Sequence, residues 1–184
     1  MIASDAQASG TSVSAAFLVV DCEDGWRWGA FWSFDSADLA ALGYPNFPMI
    51  DENRNPIAAA EAAAVATTYV VLSTLFASRI KHRDAVHWID NTVSLHSFVK
   101  GGSKCGAIDR ACAIPNLLAF GLRFRVWYEF VPSDANWSDG ASRNLGEDDF
   151  ALENGFTLAQ TALPRELWLC DIRDAWCRLT SDSL

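Results

Sequence analysis

A mixed α/β sheet with helices on both of its faces is the fold class the sequence predicts, and three observations predict it. Two runs rich in β-branched and aromatic residues, 15–21 and 28–34, flank the turn "CEDG" and read as an antiparallel pair. A long apolar stretch over 57–78 has helical length and leads into another strand run at 85–90, a strand–helix–strand unit that suits a right-handed parallel crossover. Residues 122–131 alternate strictly. Leu122, Phe124, Val126, Tyr128 and Phe130 share one face, and Arg123, Arg125, Trp127 and Glu129 share the other, as in a half-exposed strand.

The elements follow in chain order. Residues 1–14, "MIASDAQASGTSVS", carry neither a basic region nor an apolar run, so they are no secretory signal and read as a loose tail. "AAFLVVD" over 15–21 is a buried strand that ends on a carboxylate, and "WGAFWSF" over 28–34 is its hairpin partner. Residues 36–55 hold a helical turn in "SADLAALG" and a loop with one short strand. Pro56 suits the first turn of the following helix. "RIKHRD" connects that helix to strand 85–90, and helix 92–100 closes on Gly101 and Gly102. Residues 107–120 are helical, with Pro115 expected to kink the helix or restart it. After the alternating strand, "PSDANWSDGASR" is a loop entering a helix. The acidic remainder, 146–184, ends in an amphipathic pattern, "LPRELWLCDIRDAWCRL".

Composition limits the function classes. The chain has 184 residues, 51% of them hydrophobic, enough for one domain with a real core and too apolar for disorder. Eight tryptophans and eleven phenylalanines supply large apolar surfaces. The five cysteines form no CxxC and no metal-like spacing, so they read as reduced thiols of an intracellular protein, cytoplasmic or nuclear. The 57–78 stretch is long enough to span a bilayer, but it is rich in Ala and Thr and contains Glu61, so a buried core helix is expected and no membrane partner. A net charge of −9 argues against general nucleic-acid affinity. Residues 79–125 nevertheless hold eight Lys/Arg against three Asp, a local +5 that leaves −14 for the rest. Lys100, Lys104, Arg123 and Arg125 from this basic middle are candidate phosphate contacts; solvated surface charge is the plainer reading. Trp26 and Trp28 could stack on bases, although hairpin packing explains them as well.

Three carboxylates stand out locally. Asp21 and Asp90 each end a strand, and Glu61 is the single charge on an apolar helix, where a buried carboxylate needs a partner or a metal. If the strands bearing Asp21 and Asp90 are neighbours, the crossover helix can aim Glu61 at the same sheet edge. Three clustered carboxylates repel unless a cation neutralises them, and an all-oxygen set suits Mg²⁺ or Mn²⁺. Two such ions can activate water and stabilise a leaving oxygen in phosphodiester cleavage. Asp139, opening the helix after the alternating strand, is a fourth candidate. Capping a helix N-terminus is the structural alternative for Asp90 and Asp139 alike.

"HWIDNTVSLHSFVKGG" followed by "LRFRVWYEFVPSDANWSDGASR" resembles the ribonuclease H domain of retroelement reverse transcriptases. The likeness rests on Asp90-Asn91 at a strand end, the Val131-Pro132 loop, Asn136-x-x-Asp139 and Ser142-Arg143. Upstream, "LVVDCEDGWRWGAFW" resembles the family's first strand and turn, with Asp21 as first carboxylate and Asp24 a nearby competitor. "NPIAAAEAAAVA" resembles the entry to its first helix, with Glu61 in the acidic position. The resemblance covers residues 15–145 and implies a ribonuclease H-like fold over that span. It implies an endonuclease that hydrolyses the RNA strand of an RNA–DNA hybrid, with Asp21, Glu61, Asp90 and Asp139 holding two Mg²⁺ or Mn²⁺ ions. It also implies Asn91 and Asn136 as substrate contacts, and a polymerase domain as partner in a parent polyprotein. Many members carry a loop histidine near the Val-Pro turn, where this chain has Ser133-Asp134. Two other readings stand beside the enzyme: a non-catalytic domain of the same fold kept for packing or protein contact, and a nuclease of the superfamily with another substrate.

Overall fold

The computed structural model describes residues 1–9, 12–35, 37–38 and 57–162. The expectations for most of 36–56 and for the amphipathic helix after residue 162 fall outside the described residues. Among the described residues six strands form one sheet: β1 (Ile2–Ser9), β2 (Ser12–Val20), β3 (Arg27–Asp35), β4 (Asp84–Ile89), β5 (Arg125–Phe130) and β6 (Thr157–Gln160), in the order β5-β4-β1-β2-β3-β6. The β1–β2 and β2–β3 pairs are antiparallel; β4 joins β1 in parallel, β5 joins β4 in parallel, and β6 joins β3 in parallel. The mixed sheet expected from the sequence is therefore present, with two further strands, β1 ahead of the expected strands in the chain and β6 after them.

Two corrections concern the first strand. Residues 2–9 are no loose tail. They pair with β2 from Ile2↔Val19 to Ser9↔Ser12 and occupy a central place in the sheet. In consequence β4, which carries Asp90 at its end, lies beside β1 and not beside the strand that ends at Asp21. The pattern "IASDAQAS" hid this strand, because Ser, Asp, Gln and Ala lack the β-branched and aromatic bulk that marks strands. A signal was available in "SGTS": Ser9 pairs with Ser12 across two residues, the first of them glycine, a common hairpin connection.

Helices cover both faces. α1 (Ile57–Ile80) packs with α2 (Thr92–Lys100) and α3 (Gly106–Leu122) on one side. Its core partners there include Phe17, Val19, Trp28 and Trp32. On the other side, Leu18 and Val20 of β2 meet Trp137, Ala151 and Phe156, around the short helices α4 (Asp139–Asn144) and α5 (Asp149–Glu153). β2 is thus apolar on both faces, which accounts for its unbroken hydrophobic run. Gly29 lies where β2, β3 and β6 approach closely; a Cβ there would come within 2.6 Å of Leu18 Cδ2 and 2.7 Å of the Phe17 carbonyl oxygen.

Most of α1 is buried in this core, as expected for the long apolar segment. The helix kinks at Phe76, whose φ of −135° and ψ of 32° leave the helical region. Trp26 and Trp28 both meet the Phe76 ring at 4.8 Å between centroids, so these tryptophans pack the hairpin onto α1. α3 runs through Pro115 as one helix, where a kink or restart was expected. β5 begins at Arg125, because Leu122 ends α3 and Arg123 caps it in the left-handed conformation. Deleting residues 1–9 is expected to abolish the cooperative thermal unfolding transition, since β1 then leaves both β2 and β4 with an open edge. A truncated chain melting within a few degrees of the full chain would restore the loose-tail reading.

Candidate metal centre

The parallel β1–β4 ladder sets Ile2 opposite His87 and Ala3 opposite Trp88. Continuing that register by two residues brings Asp5 opposite Asp90. β1 alternates, with Ile2 and Ala6 in the core beneath α1, so Asp5 points to the other face, where Ser142 of α4 donates its hydroxyl to Asp5 Oδ2. Glu61 descends from the first turns of α1, and its Oε1 accepts the Ala6 amide at 3.2 Å. Asp90 follows the last residue of β4, and its Oδ2 accepts the Ser133 hydroxyl at 2.7 Å. One carboxylate oxygen from each of Asp5, Glu61 and Asp90 lies within 4.8 Å of the others. These three residues, with Gln7, Asn91, Ser133, Asp139 and Arg143, line an open cleft of about 430 Å³.

The electrostatics are those of an under-neutralised site. Burial pushes the Asp5 carboxyl up to about 6, with Asp90 and Asp139 adding to the rise and the Ser142 hydroxyl and Arg143 opposing it. Glu61 is pushed well above the usual carboxylate range, first by burial and then by the charges of Asp5 and Asp90. A hydrogen bond between the Asp5 and Glu61 carboxyls also favours the protonated form. Glu61 is 2% exposed, and when it is ionised its Oε2 meets no hydrogen-bond donor among the described residues, a costly state for a buried carboxylate. A divalent cation would remove the repulsion and take up that oxygen. The donor set is all carboxylate oxygen, which fits Mg²⁺ or Mn²⁺ and not a thiophilic metal.

The expected ligands fare differently. Glu61 and Asp90 belong to the cluster. Asp139 stands on the cleft wall at the start of α4, where Arg143 of the next turn pairs with it at 2.7 Å. Neither Asp90 nor Asp139 is the capping residue, for Asn91 caps α2 and Ser138 precedes α4. Asp21 is a correction. β2 runs antiparallel to β1, so its C-terminal end lies beside Met1, at the far end of the sheet from Asp5. There Arg79 bridges Asp21 at 2.9 Å and Asp24 at 2.8 Å while lying 4.6 Å from the Trp26 ring centre. The third carboxylate of the cluster is Asp5, in a strand whose small and polar residues conceal it in the sequence.

The expected substrate contacts also divide. Asn91 lines the cleft, but its Oδ1 is occupied by the Val93 and Ser94 amides. Asn136 is buried as a tether, donating to the Ser4 carbonyl at 3.2 Å and accepting from the Ser138 hydroxyl at 2.8 Å. Arg125 pairs with Asp84 through two contacts of 2.6 Å at the sheet end opposite Asp90, and Arg123 is the C-cap of α3, outside the cleft lining. Lys100 and Lys104 are exposed and do not line the cleft. The cation that does line it is Arg143, which sequence reasoning noted only within a motif.

An antiparallel three-stranded meander, two parallel strands on its β1 side and helices on both faces, with a carboxylate cluster at the junction of β1 and β4, make a ribonuclease H-like fold with a candidate metal site. No protein-family model matches the sequence, and no curated protein does. Among solved structures, the chain is similar to the N-terminal ribonuclease H domain of a Mycobacterium tuberculosis protein, solved as a fusion with maltose-binding protein. The TM-score is 0.55 at 14% identity, covering 83% of this chain and 96% of that one. The likeness establishes the fold.

Because the folded pKa of Asp5 is about 6 against an ordinary 3.8, its protonated form is favoured in the native state. The corresponding stability is present below about pH 4 and lost as pH rises through 6, a change of about 3 kcal/mol by linkage. In EDTA, the melting temperature is therefore expected to fall between pH 4 and 7. Mn²⁺ should raise it at pH 7.5 and progressively less below pH 6. Asp5→Asn should melt higher than the parent in EDTA at pH 7.5 and respond less to Mn²⁺. A flat pH profile combined with no response to Mn²⁺ would remove the site.

Proposed function

We propose that this protein is a metal-dependent endonuclease that hydrolyses the RNA strand of RNA–DNA hybrids. The observation that carries the proposal is the convergence of Asp5, Glu61 and Asp90, with the Glu61 Oε2 atom buried and unpartnered, on a ribonuclease H-like fold. Two divalent ions, when bound, supply an activated water and charge stabilisation for the leaving oxygen. Asp5, Glu61 and Asp90 would hold them, and Asp139 would add a further carboxylate from the cleft wall. Ser142 and Ser133 orient Asp5 and Asp90 by donating to one oxygen of each. Arg143, which lines the cleft and pairs with Asp139, would be the cation available there to a phosphate.

The resemblance of Asp90-Asn91, Asn136-x-x-Asp139 and Ser142-Arg143 to retroelement ribonuclease H motifs supports a finer reading: part or relic of a reverse transcriptase, acting beside its polymerase domain. The ribonuclease H histidine loop is replaced by Ser133-Asp134, and the hydroxyl of Ser133 engages Asp90. Product release then lacks its usual side chain, and slow turnover is expected.

The test is cleavage of a labelled RNA–DNA hybrid with Mg²⁺, Mn²⁺ or EDTA. The RNA strand alone should be cut, only with metal, and Asp5→Asn, Glu61→Gln and Asp90→Asn should each reduce cutting to the EDTA level. Asp21→Asn should cut at the parental rate while losing less than about 1 kcal/mol of stability from its partly exposed ion pair. Activity lost in Asp21→Asn but kept in Asp5→Asn would overturn the assignment. A folded protein that neither binds Mn²⁺ nor cuts the hybrid would assign the fold to a packing or interaction role, and one that binds Mn²⁺ but leaves the hybrid intact would point to a nuclease with another substrate.

A further inference from the structure

A second polar group, centred on a fully buried histidine, runs through the same elements as the carboxylates and is used by none of the steps above. His87 of β4 has no exposed surface. Its Nε2 lies 2.8 Å from Ser4 Oγ on β1, and its Nδ1 lies 2.8 Å from the Tyr69 hydroxyl on α1. The Tyr69 and Tyr128 hydroxyls hydrogen-bond in turn, which adds β5. A neutral imidazole has one donor and one acceptor nitrogen, and a hydroxyl can take either role, so both bonds are satisfied in one tautomer or the other. Burial pushes the His87 pKa down to about 3, so the ring stays neutral.

The partners of His87 are set against the metal ligands. Ser4 precedes Asp5, His87 lies three residues before Asp90, and Tyr69 lies two turns after Glu61 on the same helix. Backbone pairing does not hold these elements where the carboxylates meet. The β1–β4 ladder consists of the pairs Ile2↔His87 and Ala3↔Trp88 and stops short of Asp5 and Asp90. From α1, one amide contact at 3.2 Å ties Glu61 to β1. Repulsion among the three carboxyl groups pushes the strand ends apart, against little backbone restraint. Packing alone needs no polar side chain at residue 87, since an apolar residue of similar shape often serves a core as well. The imidazole adds two directional bonds of fixed length to two other elements.

We propose that His87 is a positioning residue: through Ser4 and Tyr69 it clamps β1, β4 and α1 so that Asp5, Glu61 and Asp90 stay within reach of one divalent ion. The clamp rests on the metal reading proposed above, and its test separates the two. Mn²⁺ binding by the full chain is measured from the free-ion EPR signal, beside thermal melting, for the parent, His87→Leu, Tyr69→Phe and Leu118→Ala. Leu118 is a core residue of α3 outside the hydrogen-bonded group. Tyr69→Phe removes one hydroxyl and keeps the ring, so it decides the matter if His87→Leu fails to fold.

The parent and Leu118→Ala should bind Mn²⁺ alike despite different melting temperatures. Tyr69→Phe and His87→Leu should bind it about tenfold more weakly, the lower end of what supporting hydrogen bonds contribute at metal sites. Parental Mn²⁺ affinity in folded Tyr69→Phe overturns the clamp and leaves the metal site standing. Equal weakening in Leu118→Ala also overturns it, because affinity then follows general stability. No Mn²⁺ binding by the parent overturns the metal reading itself, and the clamp with it.

Discussion

Mutual repulsion of three carboxyl groups gathered within 4.8 Å is the constraint on which the rest of this structure depends. Two of them, Asp5 and Glu61, are almost wholly buried, so water screens them poorly. The protein answers in three ways visible in its geometry. Neutral donors hold one oxygen of each carboxylate: Ser142 on Asp5, the Ala6 amide on Glu61, and Ser133 on Asp90. Protons remain on the buried pair at pH values where a surface carboxyl would have lost them. The elements that carry the charges are tied together through uncharged groups, His87 and Asn136 among them, which add no charge of their own to the cluster.

The fold was legible wherever bulk or period marked an element, and the site wherever a charge was out of place. The alternation of β5, the unbroken apolar run of β2 and the length of α1 are each direct consequences of which faces are buried. Glu61 was legible for the same reason, as one charge on a helix otherwise built for a core. β1 was illegible because its residues are small or polar, as their surroundings require. It carries Asp5 toward the site, Ser4 toward His87 and Gln7 toward the cleft, which leaves Ile2, Ala3, Ala6 and Ala8 to pack. A strand that holds the first carboxylate and one end of a hydrogen-bonded clamp has little room for valine or isoleucine.

The misplacement of Asp21 follows from topology. A carboxylate at a strand's C-terminal end looks the same in sequence whichever way the strand runs. In an antiparallel hairpin, however, successive strand ends go to opposite ends of the sheet. Without β1, β2 reads as the first strand and its end falls at the site; β1, antiparallel to β2, reverses that polarity. Asp90 escaped the same error because β4 is parallel to β1, so its C-terminal end points the same way as that of the strand carrying Asp5.

The two ends of the sheet therefore offer the same residue types in opposed chemical states. At the Asp21 end, each nearby carboxylate meets a guanidinium: Arg79 serves Asp21 and Asp24, and Arg83 pairs with Glu23. Those contacts use the oxygens that a cation would need, and the guanidinium is already the cation. At the Asp5 end the direct donors are hydroxyls and an amide, which orient a carboxylate without neutralising it. Arg143 comes nearest to breaking that pattern, and its contact is with Asp139 on the cleft wall rather than with the three clustered groups. Charge left uncancelled in a buried cluster is unfavourable for folding and favourable for capturing a hard cation. The arrangement at Asp5, Glu61 and Asp90 makes sense as the second, because an ion-paired solution to the first is built from the same materials at the other end of the same sheet.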